Sequence, residues 1–511
     1  MPTGEKVTNP RARPRAGAHA GTLYPELVVL SPPELAKSGS MRHGDLSPGR
    51  TFSMNPQHVV LIVGGAVAGS EAAFQFARRS IRCVVIEQNA RPYGKIEDGL
   101  PRWHVKLRRQ EMSEIDEKLG HPEVHFVPGT KLGRDIGLAE LLAWGPSAVV
   151  LAVGAWRDRP MPVPGIDRYA GRGFYYSNPF MNWFNHYREP DYHGPQVELA
   201  DGALVVGGGL ASLDVAKVLM LETVTRALAD RGEGVDLYDM ERRGIGTVLA
   251  ERRLSLADLG LRGATVVYRR RFEDMPVVES PEDATPEQVE RARACRRKLM
   301  HKFSEKYLFG FQDRRMPVGY LAEGESLVGL RLAATEVRGG RAFPLEGTEQ
   351  DVPSRLVVSA IGSIPEPIED IPMRGEVYHI KDIHTGELEG LDGIYAVGNA
   401  VTGRGKIEDS RLHARFVSEY MLENYLMGPA SGYEEVLAEV KDEAGTRTAA
   451  VTERLTGRAP LPGAQVARLL ERVRDLQHRV GYPGDYRAYA ARLARPCAPN
   501  DPAGLIPIPL K

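Results

Sequence analysis

Two glycine-rich runs hold the residues best placed to do chemistry in this 511-residue chain: VVLIVGGAVAGSEAAFQFA from Val59 and ALVVGGGLASLDVAKVLM from Ala203. Each joins an apolar strand to a helix through a turn spaced as G-x-G-x-x-G. In that arrangement the backbone N–H groups at the start of the helix receive a pyrophosphate. In the first turn Gly64, Ala66 and Gly69 take the three glycine positions, with Gly65 between the first two. The strand that follows, RCVVIE, ends at Glu87, where a carboxylate accepts hydrogen bonds from the hydroxyls of an unphosphorylated ribose such as that of FAD. In the second turn Gly207, Gly208 and Gly209 precede Ser212, a small residue at the third position. The apolar run after it, ATVVYRRR, ends in Arg269, Arg270 and Arg271 with no acid at its tip. Guanidinium groups there suit a ribose 2'-phosphate, so NADP(H) is expected in preference to NAD(H). One such turn is common; two in one chain imply electrons moving between nucleotides.

The elements that must position these turns read as an α/β protein with two Rossmann-like nucleotide-binding domains. Residues 56–165 and 352–427 are expected to form a discontinuous FAD-binding domain, and 166–351 an inserted NADP-binding domain. A Pro-, Gly- and Arg-rich arm over 1–55 is expected to be mobile, and 428–511 to form a helical extension, an appendage or an oligomer contact. The run SAVVLAVGAWRDRPMPVPG supplies a buried strand ending at Gly154, and RLVVSAIGSIPEP a matching strand ending at Gly362, each followed by a proline-rich crossing. Between Glu87 and a helix expected over 106–119, the loop PYGKIEDGLPRW carries Gly94 and is suited to wrapping a flavin. Near residue 397 the strand of GLDGIYAVGNAVTGRGKIEDS ends in a turn at Gly398 and Asn399. Gly403 and Gly405 follow, where the backbone can approach a ring system closely. The long interval from Gly209 to Arg269 predicts a helical insertion.

Composition limits the function classes. Lys plus Arg number 66 against 67 Asp plus Glu, for a net charge of −1, which argues against bulk nucleic-acid binding. The three cysteines, Cys83, Cys295 and Cys497, are too far apart for a C-x-x-C redox pair or a cysteine-ligated cluster, and no metal-ligand spacing is present. No apolar run reaches 18 residues, and no hydrophobic secretion core opens the sequence. No membrane partner and a cytoplasmic location are therefore expected.

With both turns placed, the order of motifs resembles the adrenodoxin reductase group of NADPH-ferredoxin reductases from about His58 to Leu426. The resemblance is carried by Gly133, Arg134 and Asp135 ahead of one strand, and by Ser177, Phe180, Trp183 and Asn185 ahead of the second glycine turn. It implies that Gly64, Ala66, Gly69 and Glu87 hold FAD, that Thr130 lies near the adenine, and that Gly207, Gly209 and Ser212 cradle the NADPH pyrophosphate. The flavin end departs from the family. Gly398 and Asn399 stand where the group has a G-W turn, TGRGKIEDS stands for its G-P-T-G stretch, and the Gly94 loop differs. The segment YRRRFEDMP is similar instead to the glutamate synthase small subunit. The implied activity is transfer of hydride from NADPH to FAD and of single electrons onward to a ferredoxin-like carrier. A flavin subunit feeding a larger synthase or reductase, and a flavin-binding redox sensor or scaffold, are the alternatives. Two basic clusters, Arg102/Lys106/Arg108/Arg109 and Arg293/Arg296/Arg297, are candidate landing places for an acidic carrier. No side-chain nucleophile is required and no catalytic residue is assigned; His104 is the nearest candidate for a proton relay.

Overall fold

The computed structural model describes residues 57–277, 285–401 and 431–493. The expected arm over 1–55, and Gly403 and Gly405, lie outside the described residues. Val59–Val63 (β1), Arg82–Ile86 (β2), Val124–Val127 (β3) and Ala148–Leu151 (β4) are short apolar strands, and every residue of β1, β2 and β4 is buried. Continuous rather than alternating apolar character is what a parallel sheet covered on both faces requires. Val67–Ala77 (α1) crosses from β1 to β2. Lys95–Asp98 (α2) and Val105–Leu119 (α3) fill the β2–β3 connection, and Leu138–Ala143 (α4) leads into β4.

After β4 the chain passes through Arg157–Asp158 (β5) into a second unit built from Phe174–Tyr176 (β6), Ser177–His186 (α5), Leu204–Gly207 (β7) and Leu210–Asp230 (α6). Leu237–Arg243 (α7) and Ile245–Glu251 (α8) then precede Thr265–Val267 (β8), and these helices are the expected insertion. Pro286–Tyr307 (α9) begins with a capping box between Thr285 and Gln288. Gly310–Gln312 (β9) is followed by a four-stranded antiparallel sheet of Arg315–Glu323 (β10), Ser326–Arg338 (β11), Arg341–Pro344 (β12) and Gln350–Pro353 (β13). Val357–Ala360 (β14) returns to the second unit, and Ser363–Ile364 (β15) pairs antiparallel with β5, so the two crossings lie side by side. A minor pair, Met373–Arg374 (β16) and Val377–Tyr378 (β17), precedes Ile380–Asp382 (β18), Glu387–Leu388 (β19) and Ile394–Ala396 (β20).

The first sheet runs β18-β19-β20-β4-β1-β2-β3, parallel from β20 through β3, and the second runs β6-β14-β7-β8-β9, parallel throughout. In both, the strand that feeds the glycine turn lies at the point where the order reverses, and ligands of open α/β sheets bind at the carboxyl ends of the strands there.

Three helices close the described chain: Ser431–Thr456 (α10), Gly463–Arg479 (α11) and Tyr486–Leu493 (α12). The helical character expected after residue 428 is present. The helices do not stand apart as an appendage. Val466, Leu469, Leu470, Val473 and Leu476 of α11 join the core on one side of the first sheet, and Val451 and Leu455 of α10 join the other. Tyr482, Tyr486 and Tyr489 surround Phe126, and Gln477 Nε2 donates to the Phe126 carbonyl at 2.8 Å. Apolar residues at i, i+3, i+4 and i+7 form a stripe that must be covered, and the first sheet covers it.

Candidate functional site

Gly64 leaves β1 at φ +100, and a Cβ there would stand 2.5 Å from the Ala152 carbonyl oxygen at the end of β4. A Cβ on Gly69 would collide with the Gly64 carbonyl oxygen, so both glycines are fixed by close backbone approach. Gly65 N donates to Glu87 Oε2 at 2.8 Å, and Asn89 N to Oε1 at 2.9 Å. Burial pushes the Glu87 carboxyl up to about 7, against the pull of these backbone donors. Two N–H bonds leave lone pairs on both oxygens for further donors. Thr130 is buried beside it, its N–H bonded to the Glu87 carbonyl at 2.8 Å. Gly154, at φ +69, closes the end of β4, and a Cβ on Gly94 would stand 2.9 Å from that of Ala66. Gly398, at φ +64, packs on Ala68 in the first turn of α1, and Asn399 next to it is exposed. The structure therefore gathers Gly64, Gly65, Ala66, Gly69, Glu87, Gly94, Thr130, Gly154, Gly398 and Asn399 around one end of the first sheet.

The second turn repeats the scheme. A Cβ on Gly207 would strike the Ala360 carbonyl, and one on Gly208 would strike the ring of Tyr268. Gly209 has open space in the same position. Ser212 is fully buried, and its hydroxyl donates to the Gly209 carbonyl at 2.7 Å. Neither α1 nor α6 carries a side-chain cap or an acid in its first turn, so no side chain occupies their leading N–H groups. At the tip of β8 the arginines differ. Arg269 is exposed; Arg270 donates to the Gly340 carbonyl in the β11–β12 turn; Arg271 pairs with Asp274 at 3.1 Å.

This donor set fits the two nucleotides. A carboxylate with spare lone pairs faces the first turn, uncapped helix starts face both, and an exposed guanidinium stands at the second.

The basic clusters do not form the open surface expected. Arg102 is buried with its guanidinium 5.9 Å from the Tyr238 ring centre. Arg108 donates to the carbonyls of Leu100 and Glu97 at 3.1 and 3.0 Å, and Arg109 is half-buried, so only Lys106 of this set is exposed. In α9, Arg293 faces Asp274, Arg297 pairs with Glu273 and Glu290, and Arg296 is buried on the Glu273 carbonyl. Nearby acids pair with the α9 cluster, and burial withdraws most of the first.

Sequence reasoning missed a buried polar group between the two units. Lys217 of α6 is fully buried, its Nζ 2.5 Å from Glu241 Oε1 and lying over the rings of Trp103 and Tyr307 at 4.2 and 4.7 Å. The Tyr307 hydroxyl donates to the same oxygen at 3.1 Å. Burial lowers the lysine's affinity for its proton; it would raise the Glu241 carboxyl, but the Lys217 ammonium holds that group below its usual range. Asp214, one turn earlier, takes the Tyr433 hydroxyl and is pushed by burial up to about 7. His104 is buried 5.3 Å from the Tyr433 ring; burial, then the Lys217 charge, lowers it to about 3, so it is neutral. The sequence signal was Asp214 and Lys217 at i and i+3 in the apolar first half of the helix.

Asn185 ties the units together. Its Nδ2 donates to the carbonyls of Glu97 and Leu100, both at 3.1 Å, and its Oδ1 accepts from Arg102 N at 3.0 Å.

Fold and site together define a two-domain oxidoreductase architecture with one dinucleotide turn in each domain. The comparisons agree on the particular kind. No family model matches the chain. Over 388 residues it is 26% identical to the mitochondrial NADPH:adrenodoxin oxidoreductase of Arabidopsis thaliana, a match covering 68% of this chain and 77% of that one. It is 24% identical over 402 residues to the NADPH-ferredoxin reductase FprA of Mycobacterium leprae, covering 73% of this chain and 85% of the relative. The match to a probable ferredoxin/ferredoxin–NADP reductase of Mycobacterium bovis, 26% identical, covers 66% of this chain and 59% of that longer protein. Among solved structures, Mycobacterium tuberculosis FprA in complex with NADPH shares the fold with a TM-score of 0.58 at 18% identity, over 83% of this chain and 90% of that one. The resemblance to the adrenodoxin reductase group is thus found by overall sequence similarity as well as by motif.

Proposed function

We propose that this chain is an FAD-dependent oxidoreductase that takes hydride from NADPH and passes single electrons to a ferredoxin-like carrier. The observation that carries the reading is the pairing of β5 with β15, which sets two uncapped glycine turns on the two sides of one crossing. The relatives' names, NADPH:adrenodoxin oxidoreductase and NADPH-ferredoxin reductase, support it. FAD supplies the step between two-electron and one-electron chemistry. The chain's own residues bind and orient: Glu87 takes ribose hydroxyls, the first turn takes the flavin nucleotide's pyrophosphate, and Gly207, Gly208, Gly209 and Ser212 take that of NADPH. Arg269 takes the 2'-phosphate, with Arg270 braced against the β11–β12 turn beside it. Asn185 and Ser177 hold the two units at a fixed separation, which matters because effective concentration falls steeply with misplacement.

The ion pairs of the α9 arginines reduce the charge that cluster offers an acidic carrier. Among the described residues no helix is long and apolar enough to cross a membrane. We place the protein in the cytoplasm, a reducing compartment suited to the free thiols Cys83 and Cys295.

The test is anaerobic rapid mixing of the flavin-loaded protein with NADPH or NADH, then with ferredoxin. Rapid bleaching of the flavin band by NADPH, slower bleaching by NADH, and recovery on adding ferredoxin are expected. A bound flavin that NADPH does not bleach would overturn the reductase reading in favour of a sensor or scaffold.

A further inference from the structure

Lys95 opens α2 immediately after Gly94, the residue that packs on Ala66 of the first turn. Its side chain runs to the crossing: Nζ lies 3.2 Å from Ser363 Oγ and 5.7 Å from the Trp156 ring centre. Ser363 is the first residue of β15, and its register partner in β5 is Asp158. That hydroxyl is shared, because Asn178 Nδ2 also donates to it, at 3.1 Å. Asp158 is occupied elsewhere, accepting from Ser177 Oγ at 3.0 Å and Asn178 N at 3.2 Å, and it forms no direct ion pair with Lys95 among the described contacts. Lys95 therefore holds a half-buried ammonium with three donors against, among the described residues, one shared neutral acceptor. Burial lowers it to about 8, with Asp158 acting in the opposite sense.

A cation partly withdrawn from water and so weakly compensated costs free energy unless negative charge reaches it. Its location fixes what that charge is. Lys95 bridges the first glycine turn and the paired crossings, between the two turns that, on the reading above, would hold the nucleotides.

Resting on the reading above, we infer that Lys95 is the counter-charge for the electron-rich flavin, with Asp158 restraining it. Hydride carries two electrons and one proton, so its transfer from NADPH would leave NADP⁺ and give the flavin a net negative charge, which Lys95 would be placed to stabilise. An ammonium that binds the reduced form more tightly than the oxidised form shifts the couple by that ratio of affinities. Asp158, of opposite sign, shifts it the other way. The resemblance does not assign this role to either residue.

The experiment is a spectroscopic redox titration of the full-length, flavin-loaded protein against a reference dye, with Lys95→Met, Lys95→Arg and Asp158→Asn. Lys95→Met is expected to weaken the preference for reduced flavin at least tenfold, a fall in midpoint potential of about 30 mV for a two-electron couple. Lys95→Arg keeps the charge and restores most of that preference. Asp158→Asn raises the midpoint, and this opposite sign decides the matter if the Met variant fails to fold. Equal midpoints in wild type and Lys95→Met, or shifts of the same sign in Lys95→Met and Asp158→Asn, overturn the inference alone. A wild-type chain that takes up no FAD overturns the inference together with the reading beneath it.

Discussion

Replacing Lys217 by methionine tests whether the polar group between the two units is a compensated pair. Methionine keeps the length of the side chain and removes its charge. In the wild type the ammonium is fully buried, bonded to Glu241 and placed over two aromatic faces. Removing one member of a buried ion pair costs about 3–5 kcal/mol, because the partner is left charged in a poor solvent. Two features pull the figure towards the lower end. Glu241 retains 14% of its side-chain exposure, which admits some water, and Tyr307 still donates to it. Lost attraction to the Trp103 and Tyr307 rings works against that relief, at about 1 kcal/mol. A loss of about 3 kcal/mol is therefore expected, read from urea unfolding followed by tryptophan fluorescence, to which Trp103 contributes as a local reporter. The companion variant Lys217→Met/Glu241→Gln removes the stranded carboxylate and keeps an acceptor for Tyr307, so most of the loss should return. A Lys217→Met variant destabilised by less than about 1 kcal/mol, or a double variant no more stable than the single one, would refute the argument, since the cost would then not come from an uncompensated charge.

Three further outcomes follow from the site. Arg269→Ala should raise the Michaelis constant for NADPH about 10- to 100-fold with little change for NADH, the scale of one charge-assisted phosphate bond, while Arg270→Ala should act less because its guanidinium is tied to the Gly340 carbonyl; equal effects on both coenzymes would remove the 2'-phosphate assignment. Glu87 has a folded value of about 7 against an ordinary 4.5, so between these limits the native state holds a proton that the unfolded chain has released, and the flavin-free protein should lose up to about 3 kcal/mol as pH rises through that window. Denaturant titrations of Glu87→Gln should lack this slope, and an unchanged slope would assign it elsewhere, Asp214 being the next candidate. Gly64→Ala places a Cβ at φ +100 and against the Ala152 carbonyl, and should cost about 2 kcal/mol or more together with flavin retention, measured by thermal unfolding and by flavin absorbance after gel filtration.

What was legible in the sequence follows from how local each constraint is. The two nucleotide turns could be read because each glycine answers to its own backbone or to a neighbour a few residues away, as Gly69 does to Gly64. Glu87 could be read because one strand and one helix fix its distance from the turn. The reversal of strand order in both sheets follows from the same repeated unit. The α9 arginines read as an open patch because charge was counted without its partners. Asp274 and Glu273 are separated from the α9 arginines by about twenty residues, and only the fold brings them within reach. The apolar stripe of α11 announced a buried face but not its partner, and the partner proved to be the first sheet.

Long-range contacts also join the two units, and sequence hid them. Lys95 reaches a hydroxyl 268 positions away, and Asn185 caps carbonyls 85 and 88 positions before it. Lys217 finds Glu241 only because the insertion folds α7 back onto α6. No periodicity or spacing rule encodes such pairs: the contacts of Lys95 and Asn185 depend on two domains taking one relative placement, and that of Lys217 on how the insertion folds. That dependence also gives them a role: a buried charge satisfied in a single arrangement penalises every other arrangement. The same argument predicts that Asn185→Ala, which removes the clamp on the loop after α2, should slow transfer between nucleotides while leaving the affinity of each turn for its own nucleotide nearly unchanged. Fluorescence titration of FAD and NADP⁺ beside single-turnover rates would show it, and a parallel loss of both affinities would mean that Asn185 supports the turns themselves rather than the distance between them.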